Sequence, residues 1–120
     1  MEKLTLQEEE AMQAVWKTGE ANIKSFLEII ADPKPPYTTL ASTIKNLEKK
    51  NFLEGKQVGN MFFYKPLVKE DEYKKKFMNT VVKDYFENSY KELVAFFAKE
   101  KKISAIELQE IIDIIETKNS

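Results

Sequence analysis

Apolar residues in the first fifty positions follow the 3.6-residue period of an α-helix. Their spacing predicts three short amphipathic helices, over about residues 6–18, 21–31 and 38–50. Thr5 and Glu8 form a capping box at the start of the first helix. The chain is therefore expected to open with three helices packed around one core.

The segment after the third helix has the character of a β-hairpin. Two β-prone runs, residues 52–58 and 61–67, flank a Gly59-Asn60 pair that is suited to a tight turn. Asn51 is suited to the left-handed conformation that follows the end of a helix. Three helices and a hairpin form the outline of a winged helix-turn-helix, in which the third helix enters the major groove of DNA. The hairpin, or wing, then lies along the DNA backbone.

From Lys69 onward the pattern is helical again. Apolar spacing and a second capping box, Ser104 with Glu107, predict two or three further helices. A region of about fifty residues cannot bury so many large apolar side chains alone, so we expect a homodimer. The fold class is mostly α with a small β-hairpin, with a winged-helix domain over 1–68 and a helical dimerisation region over 69–120. The predicted dimerisation residues are Phe77, Val81, Tyr85, Tyr90, Leu93, Phe97, Leu108, Ile111, Ile112 and Ile115.

Composition removes most enzyme classes. The chain has 19 lysines, 20 acidic residues, and no arginine, histidine or cysteine. Thiolate and imidazole groups supply the usual nucleophiles, bases and zinc ligands, so we expect no enzyme, no metal and no cofactor. No apolar run approaches membrane-spanning length, and we expect a cytoplasmic protein without direct membrane association.

The near-neutral total charge hides a basic segment. Residues 33–65 carry six lysines and two glutamates, whereas residues 1–32 sum to a charge of -4. At about 100° per residue, the side of the third helix opposite Leu40, Ile44 and Leu47 presents hydroxyls and lysines without an acid. Such groups bind phosphates and base edges. The predicted DNA contacts are Tyr37, Thr38, Thr39, Ser42, Lys45, Asn46 and Lys49 on the helix, and Lys56 and Gln57 near the wing tip.

Four segments occur in a fixed order along the chain. They are Leu4-Thr5-x-x-Glu8-x-x-x-Met12-x-x-x-Trp16, the stretch from Pro36 to Lys50, Tyr64-x-Pro66-Leu67, and Phe97-Ala98-Lys99-Glu100. Together they resemble the penicillinase-repressor family (BlaI, MecI and CopY), and the Pro-Pro-Tyr approach to the third helix is most similar to a Bacteroidetes-type branch. The resemblance implies a cytosolic dimeric transcriptional repressor with winged helices on a two-fold symmetric DNA operator.

The same resemblance implies a route of induction. Many relatives are encoded beside a membrane-bound zinc metallopeptidase receptor that senses β-lactams and triggers cleavage of the repressor. Staphylococcal relatives are cut at an Asn-Phe bond in the helix before the last one, and Phe96-Phe97 aligns with that bond here. The copper-sensing branch uses a C-terminal cysteine cluster, which this sequence lacks.

Two alternatives remain open on the residues alone. One is a protein-interaction winged helix that binds no DNA, which fits the overall negative charge. The other is a winged-helix regulator whose C-terminal region binds a small hydrophobic effector through Tyr73, Phe77, Tyr85, Phe86 and Tyr90.

Two further features have a structural interpretation. We interpret Trp16 as a core residue, and the acidic run Glu8, Glu9 and Glu10 as a complement to the positive end of the first helix dipole.

Overall fold

The computed structural model confirms a mostly α fold with one small hairpin. It describes residues 2–119, and the side chains of residues 2–117. The contacts divide the chain into a first unit that ends at Lys74 and a second unit that begins at Lys75. The elements are α1 Leu6–Thr18, α2 Ile23–Ile29, α3 Tyr37–Lys49, β1 Leu53–Val58, β2 Met61–Pro66, α4 Glu70–Phe86, α5 Tyr90–Lys99 and α6 Ala105–Asn119.

The first helix has the predicted bounds because both of its ends are capped. The Glu8 amide donates to Thr5 Oγ1 at 3.1 Å, and the Thr5 amide donates to Glu8 Oε1 at 2.9 Å. Gly19 has a φ of +83° at the other end and ends the helix there. The capping box read from the sequence is confirmed.

The second helix is shorter than predicted at both ends. Asn22 Oδ1 accepts a hydrogen bond from the Ser25 amide at 2.9 Å and caps the helix, which therefore begins at Ile23 rather than at residue 21. Ala21 instead pairs with Tyr64 of the hairpin through two backbone hydrogen bonds of 3.2 and 2.8 Å. Ile30 is extended, so the helix ends before it. The prediction of 21–31 was wrong because it lacked the cap and the strand pairing.

The third helix and the hairpin follow the sequence closely. The helix begins one residue earlier than expected, after Pro36, and Asn51 adopts a φ of +63° beyond its end, as predicted. The two strands pair antiparallel, with Leu53 opposite Pro66 at the base of the hairpin. Gly59 in the two-residue loop has a φ of +63°, the left-handed conformation that such loops use.

Aromatic residues close the core of the first unit. The Trp16 Nε1 group donates to the Val68 carbonyl at 2.9 Å, and its ring centroid lies 5.7 Å from that of Tyr73. Phe52, fully buried, packs edge-on against the same tyrosine at 6.0 Å. The core role predicted for Trp16 is confirmed. Tyr73 packs against this core and lies in the first unit, whereas the effector alternative counted it with the C-terminal region.

The acidic start of α1 does more than complement the helix dipole. Glu8 is buried, and Lys50 Nζ lies 2.7 Å from its Oε1, so the end of α3 is fastened to the start of α1. Glu9 Oε1 accepts a hydrogen bond from Tyr73 Oη at 3.0 Å. Burial and this bond raise the pKa of Tyr73 to about 12. The carboxylates thus join residues that are far apart in the sequence.

Acidification is expected to abolish the stability that ionised Glu8 contributes to the fold. Burial opposes ionisation of Glu8, but hydrogen bonds from Lys50 and Thr5 outweigh it, so its pKa lies below the ordinary 4.5. A carboxyl with a lowered pKa stabilises the fold above pH 4.5, and that stability is lost as the pH falls through the folded-state pKa. The substitution Glu8→Gln should lower the unfolding free energy at neutral pH by about 1–3 kcal/mol.

The measurement is urea unfolding followed by the fluorescence of Trp16, the single tryptophan of the chain. We expect the gap between the wild-type protein and the Glu8→Gln variant to narrow from pH 7 to pH 3, because the protonated carboxyl resembles the amide. A gap that stays constant across this range would show that ionisation of Glu8 does not contribute.

The second unit leaves most of its apolar side chains exposed. The Ser104 and Glu107 capping box is confirmed, with reciprocal hydrogen bonds of 3.0 Å each. Of the hydrophobic residues whose side chains are described in 75–117, Val82 alone is buried. Within the described chain, no helix combines the length and the apolar character needed to cross a membrane. The exposed apolar residues include Phe77, Tyr85, Tyr90, Phe96, Phe97, Ile111, Ile112, Ile114 and Ile115.

Candidate nucleic-acid interface

The helix α3 presents one polar face to solvent. Leu40, Ile44 and Leu47 are buried, which turns the opposite side of the helix outward. Thr43 lies on the buried side, where its Oγ1 donates to the Thr39 carbonyl at 3.0 Å. The predicted helix contacts Tyr37, Thr38, Thr39, Ser42, Lys45, Asn46 and Lys49 are all exposed. Their role in binding DNA stays a prediction.

The structure separates the six lysines of the basic segment into two groups. Lys34 Nζ donates to carbonyl oxygens at the end of α2, at 3.0 and 3.1 Å for two of them. Lys50 pairs with the buried Glu8, and Lys65 Nζ lies 3.4 Å from Glu54 Oε2. The ammonium groups of these three lysines are bound to groups of the protein itself. Within the basic segment, Lys45, Lys49 and Lys56 have neither an ion pair nor a side-chain hydrogen bond to the described residues.

A hydrogen bond links α3 to the hairpin. Glu48 Oε2 accepts from the Gly55 amide at 3.2 Å, so this acid faces the hairpin. A Cβ at Gly55 would lie 2.8 Å from Glu48 Oε2 and 2.9 Å from Tyr64 Cε1, so a side chain does not fit there. Tyr64 is buried, and burial together with the charge of Glu48 raises its pKa. Helix and wing therefore form one surface.

The two predicted wing contacts point in opposite directions. Lys56 lies opposite Phe63 in the hairpin register, and Gln57 lies opposite Phe62. Successive residues of a strand project to opposite faces of the sheet. Gln57 Nε2 also donates to the Gly59 carbonyl at 3.2 Å within the loop. Both residues lie near the wing tip and are exposed, but they do not share a face.

Sequence reasoning missed the apolar tip of the wing. Val58, Met61 and Phe62 are 55%, 47% and 50% exposed, although all three are large hydrophobic residues. The Phe62 ring stacks on Tyr64, with centroids 6.4 Å apart and an angle of 25° between the rings. The alternation of side chains along the strand could have revealed this tip. Because Tyr64 belongs to the core, Phe62, two residues earlier, lies on the same face of the hairpin but nearer the loop.

Two neighbouring grooves lie between α1 and the connection from α2 to α3. Their volumes are about 210 Å³ and 400 Å³, and both are lined by Glu10, Ile30 and Pro33. Neither is lined by the C-terminal aromatic residues that the effector alternative requires. No group of three or more acidic side chains in the part of the chain that the structure describes is arranged to bind a metal.

Comparison with known proteins relates this chain to one family of sequences. The sequence model described as "Penicillinase repressor" matches residues 4–117. The penicillinase repressor of Staphylococcus aureus is 28% identical over 115 residues, which cover 94% of this chain and 90% of that protein. The methicillin resistance regulatory protein MecI of S. aureus strain N315 is 26% identical over 110 residues, covering 91% and 89%.

A solved structure shows the same fold at low sequence identity. Bordetella bronchiseptica BpsR, whose DNA binding is regulated by 6-hydroxynicotinic acid, superimposes with a TM-score of 0.50 at 13% identity. The match covers 98% of this chain and 76% of that one. At this identity the likeness concerns the fold alone.

Proposed function

The chain belongs to the penicillinase-repressor family, and from this premise we propose that it is a DNA-binding transcriptional repressor whose α3 enters the major groove of an operator. The observation that carries the proposal is the division of the basic segment's lysines into those bound to the protein itself and those without a partner among the described residues. Lys45 and Lys49 on α3 and Lys56 on the wing are the lysines of the basic segment that have neither an ion pair nor a side-chain hydrogen bond among the described residues. A repressor of this kind works on DNA in the cytoplasm.

The side chains of the surface determine how DNA would be read. Lysine ammonium groups bind phosphates as point charges, and serine or threonine hydroxyls bind phosphates or base edges. Asn46 is the residue type that pairs with the N6 and N7 atoms of adenine. Because the chain has no arginine, bidentate guanidinium recognition of guanine does not occur. We infer that phosphate contacts dominate the affinity.

A mobility shift at two salt concentrations tests the proposed function. The full chain is titrated onto the DNA upstream of its own gene and onto a scrambled duplex of equal length. Two protomers with three lysines each give six phosphate contacts, so affinity for the upstream DNA should fall about 1,000-fold between about 50 mM and 200 mM salt. Equal affinity for the two duplexes at both concentrations would contradict the proposal.

We propose that a second copy of the chain covers the exposed apolar side chains of the second unit. Phe97 is 39% exposed and Ile111 is 43% exposed, and neither belongs to a buried cluster of this unit. Large apolar surfaces of this kind mark interfaces in soluble proteins. Two copies would present two α3 helices, which matches a two-fold symmetric operator.

The double substitution Phe97→Glu with Ile111→Glu should convert the dimer into a monomer. Burying two unpaired carboxylates in the interface is costly, and we expect the dimer dissociation constant to rise about 100-fold or more. Sedimentation velocity measures this directly. The matched control is Lys91→Glu with Lys99→Glu, which introduces two glutamates at polar positions of α5. The control should sediment as the wild-type chain does. A dimer that persists in the Phe97→Glu, Ile111→Glu variant would contradict the proposed interface.

We further propose that repression is relieved by cleavage at or near Phe96-Phe97, through a membrane-bound zinc metallopeptidase receptor. The two side chains are 48% and 39% exposed, with ring centroids 5.4 Å apart on the ten-residue helix α5. So short a helix opens readily, which admits a protease. In cells treated with a β-lactam, mass spectrometry should find a fragment that begins at Phe97. Release of the operator by an intact chain would contradict cleavage.

A further inference from the structure

The tip of the wing is apolar where a phosphate-binding wing would be basic. Val58, Met61 and Phe62 form this apolar tip, and each is about half exposed. The sequence has no acidic residue between Glu54 and Glu70, so nothing on this part of the wing repels DNA. An exposed apolar tip with no acidic residue beside it is suited to contact a partner whose surface has an apolar interior and negatively charged edges.

The phenylalanine at the tip lies on the side of the hairpin that packs against α3. The pair formed by Gly55 and Tyr64 contacts Glu48 of α3, and the next pair outward on the same face is Gln57 with Phe62. The buried ring of Tyr64 supports the half-exposed ring of Phe62 by stacking. Phe62 is therefore held in place from beneath and is open to solvent above.

We propose that Phe62 enters the minor groove next to the major groove that α3 occupies, and there packs against the edges of partly unstacked base pairs and bends the duplex. This inference rests on the proposed function. Apolar side chains that enter the minor groove part base steps and kink DNA toward the major groove. Lys56, on the opposite face of the hairpin, is placed to reach the flanking phosphates.

The absence of arginine makes this contact more important for specificity. Arginine is the usual side chain inserted into a narrow minor groove, and this chain has none. An aromatic wedge instead selects steps that part easily, above all TA and CA/TG. The operator is therefore expected to carry such a step beneath each wing, and the wing would read the deformability of the DNA while α3 reads its base edges.

The test compares Phe62→Ala with Phe62→Leu in the full chain. DNA bending is measured by energy transfer between dyes at the ends of the upstream duplex. Leucine also serves as a wedge, so it should retain the bend, whereas alanine should lose it and bind about 10-fold more weakly. The control is Leu6→Ala on α1, which removes an apolar side chain that is 86% exposed. This variant should bind and bend as the wild type does.

A second readout needs no substitution. The fluorescent base 2-aminopurine, placed at the flexible step beneath the wing, should brighten when the wild-type chain binds, because unstacking relieves its quenching.

An unchanged bend with Phe62→Ala, or no brightening at any step of the duplex, would overturn the inference while leaving the repressor proposal intact. A change in sedimentation of the free Phe62→Ala chain would also overturn it, since it would show a wing that contacts a second copy. If the wild-type chain does not prefer upstream DNA at all, both proposals fail.

Discussion

The double substitution Lys45→Glu with Lys49→Glu is expected to weaken binding to the upstream DNA by about 100-fold or more at 100 mM salt. Both lysines lie on the exposed face of α3 and are free of ion pairs with the described residues. Reversing their charge would remove two of the proposed phosphate contacts from each protomer of the proposed dimer and would add repulsion. The slope of log affinity against log salt should become shallower by about 2 per protomer.

A mobility shift with the charge-matched control Lys91→Glu, Lys99→Glu separates local contact from total charge. The control makes the same change in net charge on α5, in the second unit. We expect it to keep most of the wild-type affinity, because none of the proposed phosphate contacts lies on α5. Equal losses in the two variants would mean that α3 is not the recognition helix.

Truncating Phe52 to alanine should be the most destabilising single change in the first unit. Phe52 has no exposed surface, lies between the end of α3 and the first strand, and packs edge-on against Tyr73. Removing a buried phenylalanine ring costs about 3–5 kcal/mol, which is a large part of the stability of a small domain. Urea unfolding followed by Trp16 fluorescence reports this loss, because Trp16 packs against the same tyrosine.

The conservative variant Phe52→Leu shows whether the effect comes from lost volume. Leucine fills much of the same space, so we expect a loss of only about 1–1.5 kcal/mol. A loss below about 1 kcal/mol for Phe52→Ala would show that the core relaxes around the cavity.

Local patterns were enough to predict most of the fold. The capping box of Thr5 and Glu8, the left-handed Asn51 and the Gly59-Asn60 loop are each decided by neighbouring residues, and all were read correctly. The polar face of α3 followed from the spacing of its apolar residues alone. The ends of α2 did not, because strand pairing between Ala21 and Tyr64 involves residues 43 positions apart.

The electrostatics of the site depended on contacts that no local pattern contains. Lys50 was counted among the six lysines of the basic segment, but it pairs with Glu8, 42 positions earlier. Tyr73 was grouped with Phe77 in the possible effector site, but its hydroxyl donates a hydrogen bond to Glu9, 64 positions away. Sequence periodicity shows which side chains share a face, and it does not show which distant partner that face meets.

The position of Tyr73 determines what a cut in α5 would change. The first turn of α4 is held in the core of the first unit, where Tyr73 contacts Trp16 and Phe52. A break at Phe96-Phe97 leaves all of these contacts intact, so each severed chain still carries a folded DNA reader. In the proposed dimer, the cut would remove the effective concentration of the second DNA-binding unit once the first has bound, an advantage of about 10²–10⁴-fold in linked pairs. Derepression by cleavage would then be a loss of avidity, and a sufficient excess of the fragment should restore occupancy of the operator.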